Sequence, residues 1–170
     1  MQRVVVIGNS GGGKSVLARR IAARFDLPYI ELDRMLWRQG WRLAAERSYR
    51  TAHARAVASE RWVIDGLGRQ DSLPERLARA TDIVLIDLPL WVYFWLAAER
   101  QIAWAAGRMT EPPAGIAEMP PTKGLFRTIW EVERDWMPEL RKLAATEAAR
   151  GKTLVHLKLL EKLDRFAAGL

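Results

Sequence analysis

One stretch near the beginning of the chain combines residue types that bind phosphate. Residues 8–15 read Gly-Asn-Ser-Gly-Gly-Gly-Lys-Ser, which fits the pattern of Gly, four residues and then Gly-Lys-Ser. Glycines let the backbone curl until successive N–H groups point at phosphate oxygens, and the start of a following helix adds partial positive charge. In this pattern Lys14 reaches the β- and γ-phosphates, and the Ser15 hydroxyl is a ligand of Mg²⁺. The predicted nucleotide-binding residues are Gly8, Asn9, Ser10, Gly11, Gly12, Gly13, Lys14, Ser15 and Val16.

The neighbours of this stretch supply the elements that such a loop requires. Residues 4–7 are a β-branched run suited to a buried parallel strand, and residues 16–25 are predicted to be a helix. Leu17, Ile21 and Phe25 recur at spacings of four, so one stripe of that helix can pack on a sheet. The alternative is a Gly-rich turn that binds nothing, but the order strand, loop, helix favours a nucleotide site.

Two predicted strands lead to an acidic residue. Residues 29–32 form a short strand that ends at Asp33, and residues 62–65 form an apolar strand that closes with Asp65. In open α/β sheets, ligands gather outside the carboxyl ends of the strands. Asp33 could accept a proton from a substrate hydroxyl or hold a Mg²⁺-bound water, and it could equally be the N-cap of the next segment. For Asp65 we favour a role in holding Mg²⁺, directly or through water, over a structural cap.

Two further segments are predicted to border the site. Residues 34–60 are expected to form a helical insert on the substrate side, with a helix from about residue 44 to residue 59. Trp37 could stack on a planar ligand or simply cap the core, and Arg38 is either a phosphate ligand or a solvated surface residue. Residues 108–124 contain four prolines, which predicts a mobile, lid-like loop.

Two helices are predicted on either side of this loop. The first covers about residues 91–106, and the second covers about residues 125–150 with a bend at Pro138. Arg127 and Arg134 share one face of the second helix, either as phosphate ligands or within a surface salt network bridged by Glu131. The residues expected to face the core are Trp91, Phe94, Trp95, Ala98, Ile102, Phe126, Ile129, Trp130, Met137 and Leu140. A helix at 72–79 and a fourth strand at 83–88 precede these two helices, and a fifth strand at 153–157 and a helix at 160–168 follow them.

The composition indicates one globular domain. With 170 residues, 49% of them hydrophobic and 28% charged, the chain can bury a substantial core and is not expected to be disordered. The absence of cysteine excludes disulfides and cysteine-based metal sites. No apolar run reaches membrane-spanning length and no signal-peptide pattern is present. We therefore expect a soluble cytoplasmic protein without a membrane partner, as a monomer or a homodimer.

The net charge of +7 comes mainly from arginine, which accounts for 21 of the 27 basic residues. The planar guanidinium group suits phosphate, so the charge favours anionic ligands. Nucleic acid is a conceivable partner, but the arginines are scattered over many helices and form no basic arm or tail. Nucleic-acid binding is therefore not favoured.

Together these residues resemble the adenylate-kinase-like P-loop kinases, and within them the small FlaR-like or DNA topology-modulation proteins. The shared features cover most of the chain to about residue 105; they are residues 8–15, Leu32-Asp33, Trp37 with Gly40-Trp41, residues 62–66 and Asp87-Leu88-Pro89. The resemblance implies a nucleoside-monophosphate-kinase-like, three-layer α/β/α P-loop NTPase fold. Its five-stranded parallel sheet would have the strand order 2-3-1-4-5.

The same resemblance implies roles for individual residues. Residues 65–69 are similar to the Asp-Gly-Phe-Pro-Arg motif of nucleoside monophosphate kinases, in which Asp65 would organise Mg²⁺ and Arg69 would bind a substrate phosphate. Arg100 looks like the first lid arginine, and Arg127 and Arg134 are similar to the arginines that follow the lid.

The resulting hypothesis is a kinase that transfers the γ-phosphoryl group of ATP, with Mg²⁺, to a small molecule or a nucleotide. Lys14 and the lid arginines would act on the phosphates. If the acceptor is a hydroxyl group, Asp33 is the candidate base, and if it is a nucleotide phosphate, Arg69 and the arginines of the insert would bind it. The alternative is an ATP-binding regulator that affects DNA topology without kinase activity.

Overall fold

The computed structural model describes residues 1–170 and contains a five-stranded parallel sheet. Its strands are β1 (Arg3–Gly8), β2 (Tyr29–Glu31), β3 (Trp62–Asp65), β4 (Asp82–Ile86) and β5 (Thr153–Leu157). Their spatial order is β2-β3-β1-β4-β5, so the predicted order 2-3-1-4-5 is confirmed. At the centre of the sheet, Val5 of β1 is in register with Ile64 on one side and Ile83 on the other.

Helices cover both faces of the sheet, which confirms the predicted three-layer α/β/α architecture. The helices are α1 (Lys14–Phe25), α2 (Leu32–Leu36), α3 (Glu46–Ala58), α4 (Leu73–Arg79), α5 (Leu90–Ala105), α6 (Thr122–Glu131), α7 (Met137–Ala149) and α8 (Leu160–Ala168). One core lies between the sheet and α1, α5, α6 and α8, and the other lies between the sheet and α2, α3, α4 and α7. None of these helices combines the length and hydropathy needed to cross a membrane.

The central strand explains why the chain begins with a continuous apolar run. Val4 and Val6 point into the first core, whereas Val5 and Ile7 point into the second, and all four are fully buried. A parallel strand that is covered on both faces has no solvent-exposed side, so its buried side chains are apolar. Because β1 is the central strand, the phosphate loop that follows it begins in the middle of the sheet edge.

The predicted core-facing stripe of α5 is wrong at three of its five positions, whereas Phe94 packs against the first core. Trp91, Trp95 and Ile102 are exposed, and the helix instead buries Val92 and Tyr93, together with Ala97 and Gln101. The helix is apolar on nearly every side, so the periodicity of its hydrophobic residues does not identify the buried face. The buried face of α5 includes Tyr93 because its hydroxyl has hydrogen-bond partners inside the molecule.

The long helix predicted over 125–150 is two helices joined by a π-helical turn at Val132–Trp136. Pro138 lies in the first turn of α7, where a missing N–H is tolerated, so the irregularity precedes the proline. Trp130, predicted to face the core, is 51% exposed on α6. Ile129 is the α6 residue that enters the core.

The insert contains a short helix and a hairpin in addition to its predicted helix. Leu32 and Asp33 belong to α2 and do not extend the strand β2. A small antiparallel hairpin follows, in which Trp37–Arg38 pairs with Arg42–Leu43, and α3 completes the insert. The lid-like segment contains one short 3-10 turn at Pro113–Gly115.

Candidate active site

The phosphate loop lies at the carboxyl end of β1 and leads directly into α1. A Cβ at Gly8, where φ is +148°, would lie 2.3 Å from the carbonyl oxygen of Ile86 on the neighbouring strand. A Cβ at Gly12 would lie 2.5 Å from the Tyr93 ring. The Tyr93 hydroxyl donates to the Ile86 carbonyl at 2.8 Å and accepts the Leu88 N–H at 3.1 Å. The loop therefore rests on the Tyr93 ring, and glycine is required for that approach.

Lys14 is held inside this loop. Its Nζ donates to the Asn9 carbonyl oxygen at 2.8 Å. The buried Asn9 side chain donates to the Ile129 carbonyl at 2.8 Å and accepts the Ser10 N–H at 2.7 Å, which fixes the loop to α6. Burial lowers the pKa of Lys14, and the nearby carboxylates of Asp33 and Asp65 act in the opposite direction. A cation therefore stands at the centre of the loop with two carboxylates close to it.

Asp65 closes β3 and is 1% exposed. The Tyr29 hydroxyl donates to its Oδ1 at 3.3 Å, whereas its Oδ2 is buried without a hydrogen-bond partner. Burial raises the pKa of Asp65 to about 6, and the Ser15 hydroxyl and Lys14 lower it in part. Asp65 and Ser15 are thus neighbours, as the sequence predicts for the two metal ligands.

The unsatisfied Asp65 oxygen beside a serine hydroxyl fits Mg²⁺. This ion usually binds protein through one or two side chains and fills its other positions with waters and substrate phosphates. No group of three or more His, Cys, Asp or Glu side chains in this chain could hold a metal by itself. A bound nucleotide would therefore have to complete the coordination at Asp65 and Ser15.

Asp33 lies in the first turn of α2 and is half-buried. The N-cap position of α2 belongs to Glu31, so the N-cap alternative for Asp33 is wrong. Burial raises the pKa of the Asp33 carboxyl, with Lys14 and Arg100 lowering it and Glu31 raising it further. The Asp33 carboxylate accepts no hydrogen bond from protein and faces the two cations.

Arg100 enters the same space from the buried side of α5. Its Nε is buried without a hydrogen-bond partner. Burial lowers the pKa of Arg100, and the Asp33 carboxylate raises it. No carboxylate lies within ion-pair distance of its guanidinium, so this cation is available to a bound anion.

The lid-like segment reaches across the carboxyl edge of the sheet. Glu31 at the end of β2 accepts the N–H of Ala114 at 2.9 Å. Glu118 accepts the N–H of Gly40 in the insert hairpin at 2.9 Å, and Ile116 between these contacts is buried. One carboxylate thus joins the lid-like segment to the end of β2, and another joins it to the insert hairpin.

Trp37 belongs to an aromatic cluster that joins the hairpin to the lid. The Trp37 and Trp41 ring centroids are 6.0 Å apart and those of Trp41 and Trp104 are 6.4 Å apart, both in edge-on geometry. The indole N–H of Trp41 donates to the Glu118 carbonyl, and that of Trp104 donates to the Ala117 carbonyl, each at 2.9 Å. These contacts favour a packing role for Trp37 over stacking on a ligand.

Two predicted phosphate-binding arginines contact other parts of the chain, and the Arg69 Nε is buried without a hydrogen-bond partner. Arg38 is exposed and donates to backbone carbonyls, including that of Trp37 at 2.9 Å. Arg69 lies 3.4 Å from the Glu46 carboxylate through Nη2, and its backbone N–H donates to the Tyr49 hydroxyl at 3.2 Å. Neither arginine contacts Lys14 or Asp33.

Arg127 and Arg134 are also not brought to the loop. Arg127 is exposed on α6 and has no ion pair within the chain. Arg134 forms a double hydrogen bond with the neighbouring Asp135, with both distances 2.6 Å. This local pair differs from the predicted network through Glu131.

A buried network beneath the residues that follow Asp65 was not predicted. Arg76 is completely buried, and it donates to the Leu67 carbonyl at 2.7 Å and the Ser72 hydroxyl at 3.3 Å. The Tyr49 hydroxyl lies 2.9 Å from Ser72 Oγ. Burial lowers the pKa of Arg76, and no carboxylate pairs with it. This cation therefore anchors the loop after β3 through neutral groups.

We expect Arg76→Ala to lower the free energy of unfolding by at least about 2 kcal/mol, because it leaves a cavity and removes the side-chain donor to the buried Leu67 carbonyl. Urea denaturation measures the change. The matched control is Arg79→Ala on the same helix, whose partly exposed ion pair with Glu60 should contribute at most about 1 kcal/mol. Equal free energies for Arg76→Ala and the unmodified chain would contradict an anchoring role.

Three side chains of the site were missed by sequence reasoning. Tyr29 contacts Asp65, Tyr93 supports the phosphate loop, and Glu31 binds the lid. Glu31 had a readable signal, because it is an acid at the end of a strand, in register with Asp65. The two tyrosines lie within apolar runs and carry no such signal.

An open groove of about 910 Å³ lies elsewhere, along α3, where it is lined by residues including Arg47, Thr51 and Arg55. None of the predicted site residues lines this groove. The candidate active site is distinguished by its buried charges.

No family model and no curated protein sequence matches this chain. Among solved structures, a gluconokinase from Sinorhizobium meliloti 1021 is similar at 18% identity and a TM-score of 0.45, over 82% of this chain and 95% of that one. A shikimate kinase from Bacteroides thetaiotaomicron is similar at 18% identity and a TM-score of 0.49, over 78% of each chain. A shikimate kinase from Aquifex aeolicus has 19% identity and a TM-score of 0.46, over 78% of this chain and 82% of that one.

Proposed function

We propose that this chain is a kinase that transfers the γ-phosphoryl group of ATP to a hydroxyl group of a small molecule. The observation that carries the proposal is the convergence of Lys14, Asp33 and Asp65 at the carboxyl edge of the sheet, with Arg100 beside them. A phosphate-binding loop alone supports only nucleotide binding. A second, half-buried carboxylate that faces the loop lysine adds a group that can accept a proton.

Each residue has a role in the proposed reaction. The loop amides and Lys14 bind the β- and γ-phosphates of ATP, and Arg100 stabilises negative charge on the transferred group. Ser15 and Asp65 would hold Mg²⁺, which when bound neutralises charge on the phosphates. The acceptor oxygen forms a bond to the γ-phosphorus while the bond to the leaving ADP oxygen breaks. The hydroxyl proton passes to the Asp33 carboxylate.

The geometry favours a hydroxyl acceptor over a nucleotide phosphate. A phosphate acceptor needs several cations, but Arg69 shares its Nη2 with the Glu46 carboxylate and Arg38 donates to backbone carbonyls. Of the two carboxylates that raise the pKa of Lys14, Asp33 has the larger effect, and this carboxylate would repel a second phosphate. A neutral hydroxyl would instead find a hydrogen-bond acceptor there.

We expect Asp33→Asn to lower kcat by about 10²- to 10⁴-fold, the usual contribution of a positioned general base. The KM for ATP should change little. Because burial raises the pKa of Asp33, the loss of activity on acidification should begin above the pH at which an ordinary aspartate becomes protonated. Coupled ADP-release assays over hydroxylated metabolites and nucleoside monophosphates measure these quantities.

The control for this assay is Asp135→Asn, which alters an exposed carboxylate that pairs only with Arg134. Its kinetics should match those of the unmodified chain. A wild-type kcat for Asp33→Asn, or a clear preference for nucleoside monophosphates as acceptors, would contradict the proposed role of Asp33.

No observation favours the alternative of a DNA regulator. Ten arginines form ion pairs with carboxylates of the same chain, which reduces the positive charge free to contact phosphates. We therefore propose only the kinase function.

A further inference from the structure

A large aromatic surface lies outside the candidate active site. It is formed by Trp91, Trp95 and Ile102 of α5 and Trp130 of α6, which we call the tryptophan patch. The exposed fractions of these residues are 69%, 61%, 62% and 51%, respectively. Large apolar side chains are common on protein surfaces singly, but a contiguous group of this kind marks an interaction site.

Helix geometry makes the patch continuous. Trp91, Trp95 and Ile102 are separated by four and seven residues, so they form one stripe along α5. The two helices meet where Phe94 stacks on Phe126, with ring centroids 5.4 Å apart. Trp130 lies one turn beyond Phe126 on the same side of α6. The stripe and Trp130 therefore border the same seam between the two helices.

The size of the patch matches what a stable dimer needs. A tryptophan side chain offers up to about 250 Å², so the three tryptophans expose on the order of 400 Å² before Ile102 is included. An ordinary interface buries about 800 Å² on each partner, and somewhat more than half of that area is apolar. The tryptophan patch thus supplies close to the apolar part of one complete interface.

The charges around the patch identify the partner. Glu99 on α5 and Lys123, Arg127 and Glu131 on α6 are all exposed. None of these four forms an ion pair within the chain. A rim that attracts anionic lipid would be basic, whereas this rim carries two acids and two bases. A balanced rim of this kind can complement a second copy of itself.

We propose that the tryptophan patch is the two-fold interface of a homodimer, in which α5 and α6 of one protomer pack against the same helices of the other. A two-fold axis that crosses α6 at the level of residue 129 sets the two α6 helices antiparallel. Each Arg127 then meets the partner's Glu131. The patch residues are buried against their equivalents. This interface does not depend on the proposed kinase reaction.

Sedimentation equilibrium of the full chain between about 1 and 100 μM tests the proposal. We expect a dimer, and we expect Trp95→Glu to weaken it by at least about 30-fold, because the change places a charge at the centre of the apolar contact. The matched control is Leu43→Glu, which alters a residue that is 59% exposed on the insert hairpin and should leave the dimer intact. Circular dichroism checks that both variants are folded.

Charge reversal tests the two-fold geometry itself. Arg127→Glu and Glu131→Arg should each weaken the dimer several-fold at low salt, and the double variant should restore it. A monomer at every concentration would overturn the proposal, as would a dimer that is insensitive to Trp95→Glu or a double variant without rescue. A monomer that binds lipid vesicles through Trp95 would assign the patch to a membrane surface and would also overturn it.

Discussion

Replacing Lys14 by alanine is expected to abolish stabilisation of the chain by ATP and Mg²⁺ and to lower kcat by at least about 100-fold. Lys14 is the cation at the centre of the phosphate loop, and its Nζ already lies 2.8 Å from the Asn9 carbonyl. ATP at 100 times its Kd stabilises a single-site protein by about 2.7 kcal/mol, which for a chain of this size raises the Tm by several degrees. Differential scanning calorimetry with and without nucleotide measures the loss.

The apo form of this variant should remain folded, because the Lys14 side chain makes only one hydrogen bond in the structure. Lys142→Ala, which removes an exposed lysine from α7, is the control and should respond to ATP like the unmodified chain. If Lys14→Ala kept the full nucleotide-dependent rise in Tm, the phosphate site would have to lie elsewhere.

Replacing Asp65 by asparagine is expected to stabilise the apo chain while removing its activity. The pKa of Asp65 is raised to about 6 because its carboxylate is buried, so ionisation of this group opposes folding. Folding therefore favours the protonated Asp65 carboxyl. Its contribution to the free energy of unfolding is fully present below the ordinary pKa of aspartate and is lost as the pH rises through about 6. Asparagine does not ionise and keeps an oxygen that can accept the Tyr29 hydroxyl.

Above pH 7, Asp65→Asn should therefore raise the free energy of unfolding by on the order of 2–3 kcal/mol. Below about pH 4 the two chains should have similar stability. Thermal unfolding across this pH range measures the difference, and Asp82→Asn provides a control at the opposite end of the sheet, where the carboxylate is bound by Thr81. A variant that is less stable than the unmodified chain at pH 8 would contradict the conclusion that ionisation of the buried Asp65 carboxyl opposes folding.

The sheet and the phosphate loop could be predicted because their determinants are local. The β-branched run before Gly8 and the amphipathic helix after Lys14 specify β1 and α1 from adjacent residues. Asp65 ends β3 and Asp33 follows the end of β2 by two residues, so both lie at one edge of the parallel sheet. Their convergence on Lys14 follows from strand order, which the structure confirms.

The lid and its partners could not be predicted, because their contacts join distant parts of the chain. The hydrogen bond between Ala114 and Glu31 spans 83 residues, and neither residue type indicates the other. The face of α5 could not be predicted for a different reason. Large apolar residues occur on most sides of α5, so their spacing does not show which side is buried. The Tyr93 hydroxyl has hydrogen-bond partners inside the molecule, whereas Trp95 is exposed.

The most direct test of the proposed function follows the γ-phosphoryl group itself. The unmodified chain is incubated with γ-labelled ATP, Mg²⁺ and pools of hydroxylated metabolites, and the products are separated and identified by mass spectrometry. We expect label in a phosphate ester formed by the unmodified chain and by Asp135→Asn but not by Asp33→Asn. Label found only in inorganic phosphate, or on nucleoside diphosphates at equal rates with and without the Asp33 carboxylate, would contradict the proposal that this site phosphorylates a hydroxyl group.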